Sequence, residues 1–134
     1  READSLANIR ETREFVVSFS PYALRNEMNQ TCAPVAPEVD EMALAGLEPV
    51  PSTLVGPPGV KESPTRLECR LYEIFDLLGE HNAMVVGEVL GIYIADDILS
   101  NGEVDWLKYR PIARMGRSDG YAVVNELFFM DRPG

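Results

Sequence analysis

Two long strand-like runs separated by a short turn limit most strongly what this chain can fold into. Along residues 67–77 apolar and polar residues alternate, which is typical of a half-buried β-strand. The apolar register shifts at Leu71–Tyr72, and a β-bulge would explain that shift. After a turn at residues 79–82, the run over residues 83–95 is apolar on both faces. The sequence therefore predicts a mainly β architecture.

Two glycines in the second run favour a barrel strand. Gly87 and Gly91 are four residues apart, so they share one face of a regular strand. Glycines placed in this way let a strand coil sharply or let another group approach its backbone. Glu88 lies between them on a mostly apolar face, where a buried carboxylate needs a partner. Arg70 on the neighbouring run is the predicted partner.

Helical patterns precede and flank these strands. A first helix is predicted over residues 4–12, with Asp4 or Ser5 as its cap. Residues 14–19 are rich in β-branched and aromatic types and are expected to form a strand. A second helix is expected to start at Ser20–Pro21, with the serine as its cap.

The rest of the chain is predicted to hold short elements and one long loop. A third helix is expected from Pro37 to Gly46. Residues 47–64 are rich in proline and glycine and indicate a loop. Residues 105–109 suggest a helical turn, and two short extended segments are expected on either side of residues 116–120. The apolar tail at 128–130 is expected to dock on its own domain or on a partner.

These elements predict mainly β structure with flanking helices, an α+β chain of one domain over residues 1–134. The predicted strands are too few to close a barrel, so the edges of the sheet would stay open. We therefore expect a split β-barrel that is incomplete in this chain, with an N-terminal hairpin missing. On this interpretation residues 1–134 are the C-terminal two-thirds or so of the barrel domain.

Composition argues against several classes of function. The net charge of −10 disfavours nucleic-acid binding, and no apolar run is long enough for a membrane span. Two distant cysteines and one histidine do not make a standard zinc site. No G-x-G-x-x-G motif of a Rossmann fold is present. Without a disulfide framework or a signal peptide, the cytoplasm is the expected location.

Seven short segments, spread over nearly the whole chain, share their order and spacing with the motifs of one family. They are residues 4–9 (DSLANI), 14–17 (EFVV), 28–34 (MNQTCAP), 40–47 (DEMALAGL), 62–69 (ESPTRLEC), 86–89 (VGEV) and 111–121 (PIARMGRSDGY). On these segments the chain resembles the flavin reductase-like, FMN-binding split-barrel family, which includes flavoredoxin-like proteins. Ser5 and Cys32 stand where the family motifs have threonine and serine.

This resemblance implies FMN bound at the interface of a homodimer, with NAD(P)H as a transient co-substrate. The flavin would carry the difficult chemistry, so the absence of a catalytic triad in the sequence is compatible with an enzyme. No catalytic residue and no metal ligand are assigned. The partners implied are a second copy, flavin and a nicotinamide nucleotide, without nucleic acid or membrane.

Candidate flavin contacts come from three places in the chain. Ser5 starts a helix, where free N–H groups favour a phosphate, and Arg1 would add charge; the alternative is that Ser5 only caps the helix. The turn at residues 29–34 is expected to approach the flavin ring or shape a substrate pocket, or simply to end a helix. Its candidate residues are Asn29, Thr31 and Cys32. Arg117 and Tyr121 are the third pair, with a solvated arginine and a packed tyrosine as the alternative.

Three functions fit these observations. The first is a flavin reductase-like oxidoreductase that passes electrons from NAD(P)H through flavin to an acceptor. The second is a non-catalytic FMN-binding or electron-carrier protein, which the same motifs would serve. The third is a flavin-free dimeric interaction protein, to which the Ser5 and Cys32 departures point.

Overall fold

The computed structural model describes residues 4–33, 36 and 38–134. The helices are α1 (Asp4–Thr12), α2 (Arg25–Gln30), α3 (Glu41–Leu44) and α4 (Trp106–Tyr109), with 3₁₀ turns at Tyr22–Leu24 and Asp96–Ile98. The strands are β1 (Glu14–Ser18), β2 (Pro49–Val50), β3 (Gly59–Val60), β4 (Thr65–Asp76), β5 (Ala83–Ile94), β6 (Leu99–Ser100), β7 (Glu103–Val104), β8 (Ile112–Arg114) and β9 (Tyr121–Val123). The prediction of mainly β structure with flanking helices is confirmed.

The two long strands form the centre of an antiparallel sheet with the order β1-β4-β5. The pairing of β4 with β5 shifts its register between Leu71 and Glu73, which confirms the predicted bulge. A second shift, between Glu68 and Cys69, was not predicted. The other strands pair as three short antiparallel units, β2 with β3, β6 with β7 and β8 with β9.

The prediction that Ser20 caps a helix starting at Pro21 is wrong. Pro21 is extended and forms an isolated antiparallel bridge with Pro111, and the hydroxyl of Ser20 donates to the carbonyl of Pro21. The N–H of Tyr22 donates to the carbonyl of Arg110 at 2.8 Å. The tertiary bridge therefore holds Pro21 extended, and a 3₁₀ turn at Tyr22–Leu24 precedes the α-helix, which begins only at Arg25.

Two further helix starts differ from the prediction. Asp4 and Ser5 both lie inside α1, so neither is the cap that precedes it. The third helix begins at Glu41 instead of Pro37, a residue outside those described. Its cap is Asp40, whose carboxylate accepts the N–H groups of residues 42 and 43 and so satisfies two free donors of the first turn.

The proline-rich loop between β2 and β3 is held against the sheet by carboxylates. Glu68 accepts the N–H groups of Thr53 at 3.1 Å and Leu54 at 2.6 Å, and Glu14 accepts that of Gly56 at 3.1 Å. These backbone donors, Leu54 first, lower the pKa of Glu68. The prediction of a loop is confirmed, with one two-residue strand pair at its ends.

Both glycines of β5 are covered by apolar side chains. A Cβ at position 87 would overlap the tip of the Phe15 ring, and a Cβ at position 91 would lie 3.0 Å from Leu54 Cδ1. This confirms that another group approaches the backbone there. Arg70 and Glu88 also pair as predicted, at 2.8 Å. Glu88 is 54% exposed, however, so the expectation that it is buried is wrong.

The buried core is small, and much apolar surface is open. The buried apolar side chains include Cys69, Leu71, Ile98 and Tyr109. The accessible surface is 9899 Å², whereas a compact protein of 14.9 kDa would expose roughly 7,000 Å². In the tail, Phe129 is 91% exposed, so the tail does not dock on the described part of its own chain. Among the described residues, no helix is long and apolar enough to span a membrane.

Candidate functional site

A cavity of about 370 Å³ lies between α2 and the β8–β9 hairpin. This volume is in the range of roughly 300–1,000 Å³ typical of small-molecule sites. Its apolar lining comes from Met28, Ile112, Ala122 and Val123. The side chains with polar groups in its lining are Tyr22, Arg25, Asn26, Asn29, Ser118, Asp119 and Tyr121.

Two arginines fix the tyrosine on the helix side of this cavity. The guanidinium carbon of Arg25 lies 3.8 Å from the centre of the Tyr22 ring, and that of Arg110 lies 4.5 Å from it. Arg25 Nη1 also donates to the carbonyl of Tyr22 at 2.9 Å. Cation–π contacts of this kind hold both the ring and the cations. Tyr22 and Arg25 are therefore placed as one unit beside the cavity.

The hairpin side of the cavity is a tight loop at residues 115–120. The strands that carry it pair Arg114 with Tyr121, and the N–H of Met115 donates to the carbonyl of Gly120 at 2.9 Å. The guanidinium of Arg114 lies 5.1 Å from the centre of the Tyr121 ring. Arg117 has a φ of 73°, in the left-handed region that non-glycine residues rarely adopt. The loop is thus a constrained structure that brings Ser118 and Asp119 to the cavity.

Two of the candidate residues from the sequence meet at this cavity. Asn29 lies on α2 and Tyr121 on β9, and both line it. Thr31 lines a smaller neighbouring cavity of about 110 Å³, which shares Met28 with the first. The hydroxyl of Thr31 donates to the carbonyl of Met28 at 2.6 Å. Asn29 and Thr31 therefore line two different cavities that have Met28 in common.

The other candidates lie elsewhere. Ser5 is exposed in the first turn of α1, and it is not among the residues that line the cavity at Asn29. Cys32 is exposed and lines neither of these two cavities. Arg117 is exposed on the loop beside the cavity but does not line it. Arg1 lies outside the described residues, and its predicted role stays a prediction.

Sequence reasoning missed the residues that line the cavity beside Asn29. Tyr22, Arg25 and Asn26 follow Pro21 in a segment for which the sequence predicts only a helix. No motif marks them, and the position of Tyr22 depends on Arg110, far along the chain, as well as on the nearby Arg25. Ser118 and Asp119 had a usable signal, since they lie inside the glycine-flanked loop that was already noted.

The buried titratable groups near the sheet are suited to a structural role and not to a reactive one. Burial raises the pKa of the Tyr109 hydroxyl, while its hydrogen bond with Thr65, 2.6 Å between the oxygens, acts in the opposite direction. Burial also raises the pKa of the Cys69 thiol, which favours the unreactive thiol form. No group of three His, Cys, Asp or Glu residues that could hold a metal ion occurs in the described ranges.

The cavity suits a planar ligand with hydrogen-bonding edges. Tyrosine rings and aliphatic side chains provide apolar contact, and the amides of Asn26 and Asn29 can both donate and accept. The ring system of a flavin has this chemistry.

Comparison with known proteins decides the family. The sequence model described as "Flavin reductase like domain" matches residues 1–112. The chain belongs to the flavin reductase-like family. An uncharacterized protein of Halalkalibacterium halodurans is 32% identical over 134 residues, which are 97% of this chain and 64% of that protein. The chain thus spans less than two-thirds of this relative, and the family match ends before the loop at 115–120.

Solved structures agree with the flavin reductase-like assignment. Nitrilotriacetate monooxygenase component B from Bacillus cereus is 30% identical with a TM-score of 0.88, over 97% of this chain and 66% of that one. Flavoredoxin of Desulfovibrio vulgaris is 25% identical with a TM-score of 0.82, over 94% and 67%. A Shewanella frigidimarina protein with a split barrel domain, 23% identical, has a TM-score of 0.84 over 96% and 65%. The predicted family and the split-barrel fold are confirmed.

Proposed function

We propose that this flavin reductase-like chain is part of an FMN-binding oxidoreductase that passes electrons from NAD(P)H through the flavin to an acceptor. The observation that carries the proposal is the cavity where Asn29 and Tyr121 meet, in a chain of this family. Bound FMN would supply the hydride and electron chemistry, which protein side chains cannot supply themselves.

The protein's own residues would bind and orient the flavin. Asn29 and Asn26 would hydrogen-bond to a ring edge, and Tyr22 and Tyr121 would provide aromatic surface. Ser5, at the exposed start of α1, remains the proposed phosphate contact, and Arg1 remains proposed as an additional charge. The remaining proposed contacts from the sequence are Thr31, Cys32 and Arg117.

We further propose that the protein is a homodimer. The chain exposes roughly 3,000 Å² more surface than a compact monomer of its mass, which is ample for a stable interface. The exposed aromatic tail, with Phe128 81% and Phe129 91% accessible, supports the same proposal. Residues 1–134 as one domain and a cytoplasmic location also remain proposals. A monomer in solution scattering of the full-length protein would contradict the dimer.

The first experiment is an absorption spectrum of the full-length protein after FMN is added and the excess is removed. Retained oxidised-flavin bands that NAD(P)H bleaches are the expected result. Tyr121→Ala should weaken FMN retention, because it removes an aromatic wall of the cavity. Tyr72→Ala is the matched control, since Tyr72 is 72% exposed on β4 and not among the residues lining that cavity. Equal retention in both variants would place the flavin elsewhere.

The second candidate function is an FMN-binding electron carrier. The similarity to flavoredoxin at a TM-score of 0.82 supports it. Stable FMN binding without NAD(P)H oxidation, together with electron exchange with a redox partner, would select the carrier. A full-length protein that does not bind FMN would contradict both functions. The flavin-free interaction protein would then be the remaining candidate.

A further inference from the structure

One arginine side chain organises the whole loop at residues 115–120. Arg114 Nη1 donates to the carbonyls of Met115 at 2.7 Å and Gly120 at 2.8 Å, and its Nη2 donates to the carbonyl of Arg117 at 2.6 Å. These carbonyls lie at both ends and in the middle of the loop. A single guanidinium therefore ties together the backbone of a complete turn.

The loop needs such a support because its own backbone is constrained. Arg117 adopts a φ of 73°, which is unfavourable for a residue with a side chain. Gly120 packs so closely that a Cβ there would lie 2.6 Å from the carbonyl oxygen of Gly116. Across the ends of the loop, the N–H of Met115 donates to the carbonyl of Gly120 at 2.9 Å. Without the arginine, the carbonyls of Met115 and Arg117 would lose this donor, and the carbonyl of Gly120 would keep only the N–H of Met115.

We propose that Arg114 is a positioning residue for ligand binding at the cavity, acting through Ser118 and Asp119. This inference rests on the proposed function of the cavity as a flavin or nicotinamide site. Arg114 does not line the cavity, whereas Ser118, Asp119 and Tyr121 do. The guanidinium fixes the loop that carries the first two and lies 5.1 Å from the ring of the third. All three cavity residues therefore depend on one side chain.

The chemistry of the site requires arginine and not only a positive charge. A guanidinium is planar and carries five N–H donors in a fixed fork, so it can hold three carbonyls at once. A lysine ammonium is a compact charge on a flexible stem and cannot span the same three acceptors. Ligand sites lose affinity sharply when supporting groups let contacts move by about 1 Å.

The test compares Arg114→Gln and Arg114→Lys with the control Arg132→Gln in the full-length protein. Arg132 is exposed in the tail, and no contact is recorded for it among the described residues. Ligand-free samples are measured by hydrogen exchange of residues 115–120 and by trypsin cleavage after Arg117. Both Arg114 variants are expected to exchange and be cleaved faster in the loop, while the global melting temperature stays close to that of the control.

The functional arm measures the Kd for FMN by flavin fluorescence and the KM and kcat for NADH. We expect Arg114→Gln to raise the Kd for FMN, the KM for NADH or both about tenfold, with kcat nearly unchanged. Arg114→Lys should recover only part of the lost affinity. A loop that stays protected, or a loosened loop with unchanged Kd and KM, would overturn the inference alone. A wild-type protein that binds neither FMN nor NADH would overturn the proposed function as well.

Discussion

Replacing Gly87 with alanine tests the close packing of the sheet most directly. The new Cβ would overlap the Phe15 ring tip and lie 3.3 Å from Cys69 Cβ, which belongs to a residue only 3% exposed. Forcing a methyl group into such packing costs about 1–3 kcal/mol. The lower entropy of the unfolded alanine chain offsets about 0.4–1 kcal/mol of this. The free energy of unfolding should therefore fall by about 1–2 kcal/mol, and Tm by roughly 3–8 °C.

Thermal unfolding followed by circular dichroism measures this loss. Gly116→Ala is the matched control, because no atom lies within 4 Å of its added Cβ and its φ is not left-handed. Adding Phe15→Leu to Gly87→Ala should cost less than the sum of the two single changes, because the shorter side chain relieves the overlap. A Gly87→Ala protein as stable as the Gly116→Ala control would refute the reasoning.

Three further predictions concern single side chains. Tyr109→Phe should lower the free energy of unfolding in urea by about 1 kcal/mol, because the 2.6 Å hydrogen bond with Thr65 is lost; an unchanged midpoint would show that this bond contributes nothing. Glu27→Gln should raise Tm, since one carboxylate oxygen of Glu27 is buried without a hydrogen-bond partner in the described part of the chain; a lower Tm would reveal that the carboxylate has a favourable role. The pKa of Glu68 is lower in the folded protein, so on acidification this carboxylate is protonated in the unfolded chain before it is protonated in the folded one. The contribution of the Glu68 carboxylate to stability is therefore complete at neutral pH and is lost as pH falls below roughly 4. Glu68→Gln should flatten the unfolding free energy against pH in that range, and parallel curves for both proteins would contradict the assignment.

The long strands could be predicted because their signals are local. Alternation marks β4, and the shift at Leu71–Tyr72 shows within a few residues where the bulge lies. The pairing of Arg70 with Glu88 follows once two neighbouring strands and a turn are in place. The prediction for Ser20–Pro21 failed because the deciding interaction is not local. Its sequence is a good helix start, but the bridge from Pro21 to a distant proline determines its conformation.

The candidate site was predictable only in its separate pieces. Asn29 and Tyr121 were each noted within a short motif, yet only the fold shows that they line the same cavity. Tyr22 carries no motif, and its place depends on the guanidinium groups of Arg25 and Arg110. The role of Arg114 also requires coordinates, because its acceptors are backbone carbonyls that have no residue-type signature.

The carboxylates that hold the proline-rich loop recognise its backbone and not its side chains. Glu68 and Glu14 accept N–H groups of residues 53, 54 and 56, so almost any amino acid at positions 53 and 56 would preserve these bonds. Proline is the exception, because it has no N–H, and the natural prolines stand at 51, 57 and 58, away from the three donors. The loop therefore combines a fixed path with replaceable surface positions, which makes it the natural place to graft a short peptide or attach a reporter without disturbing the sheet.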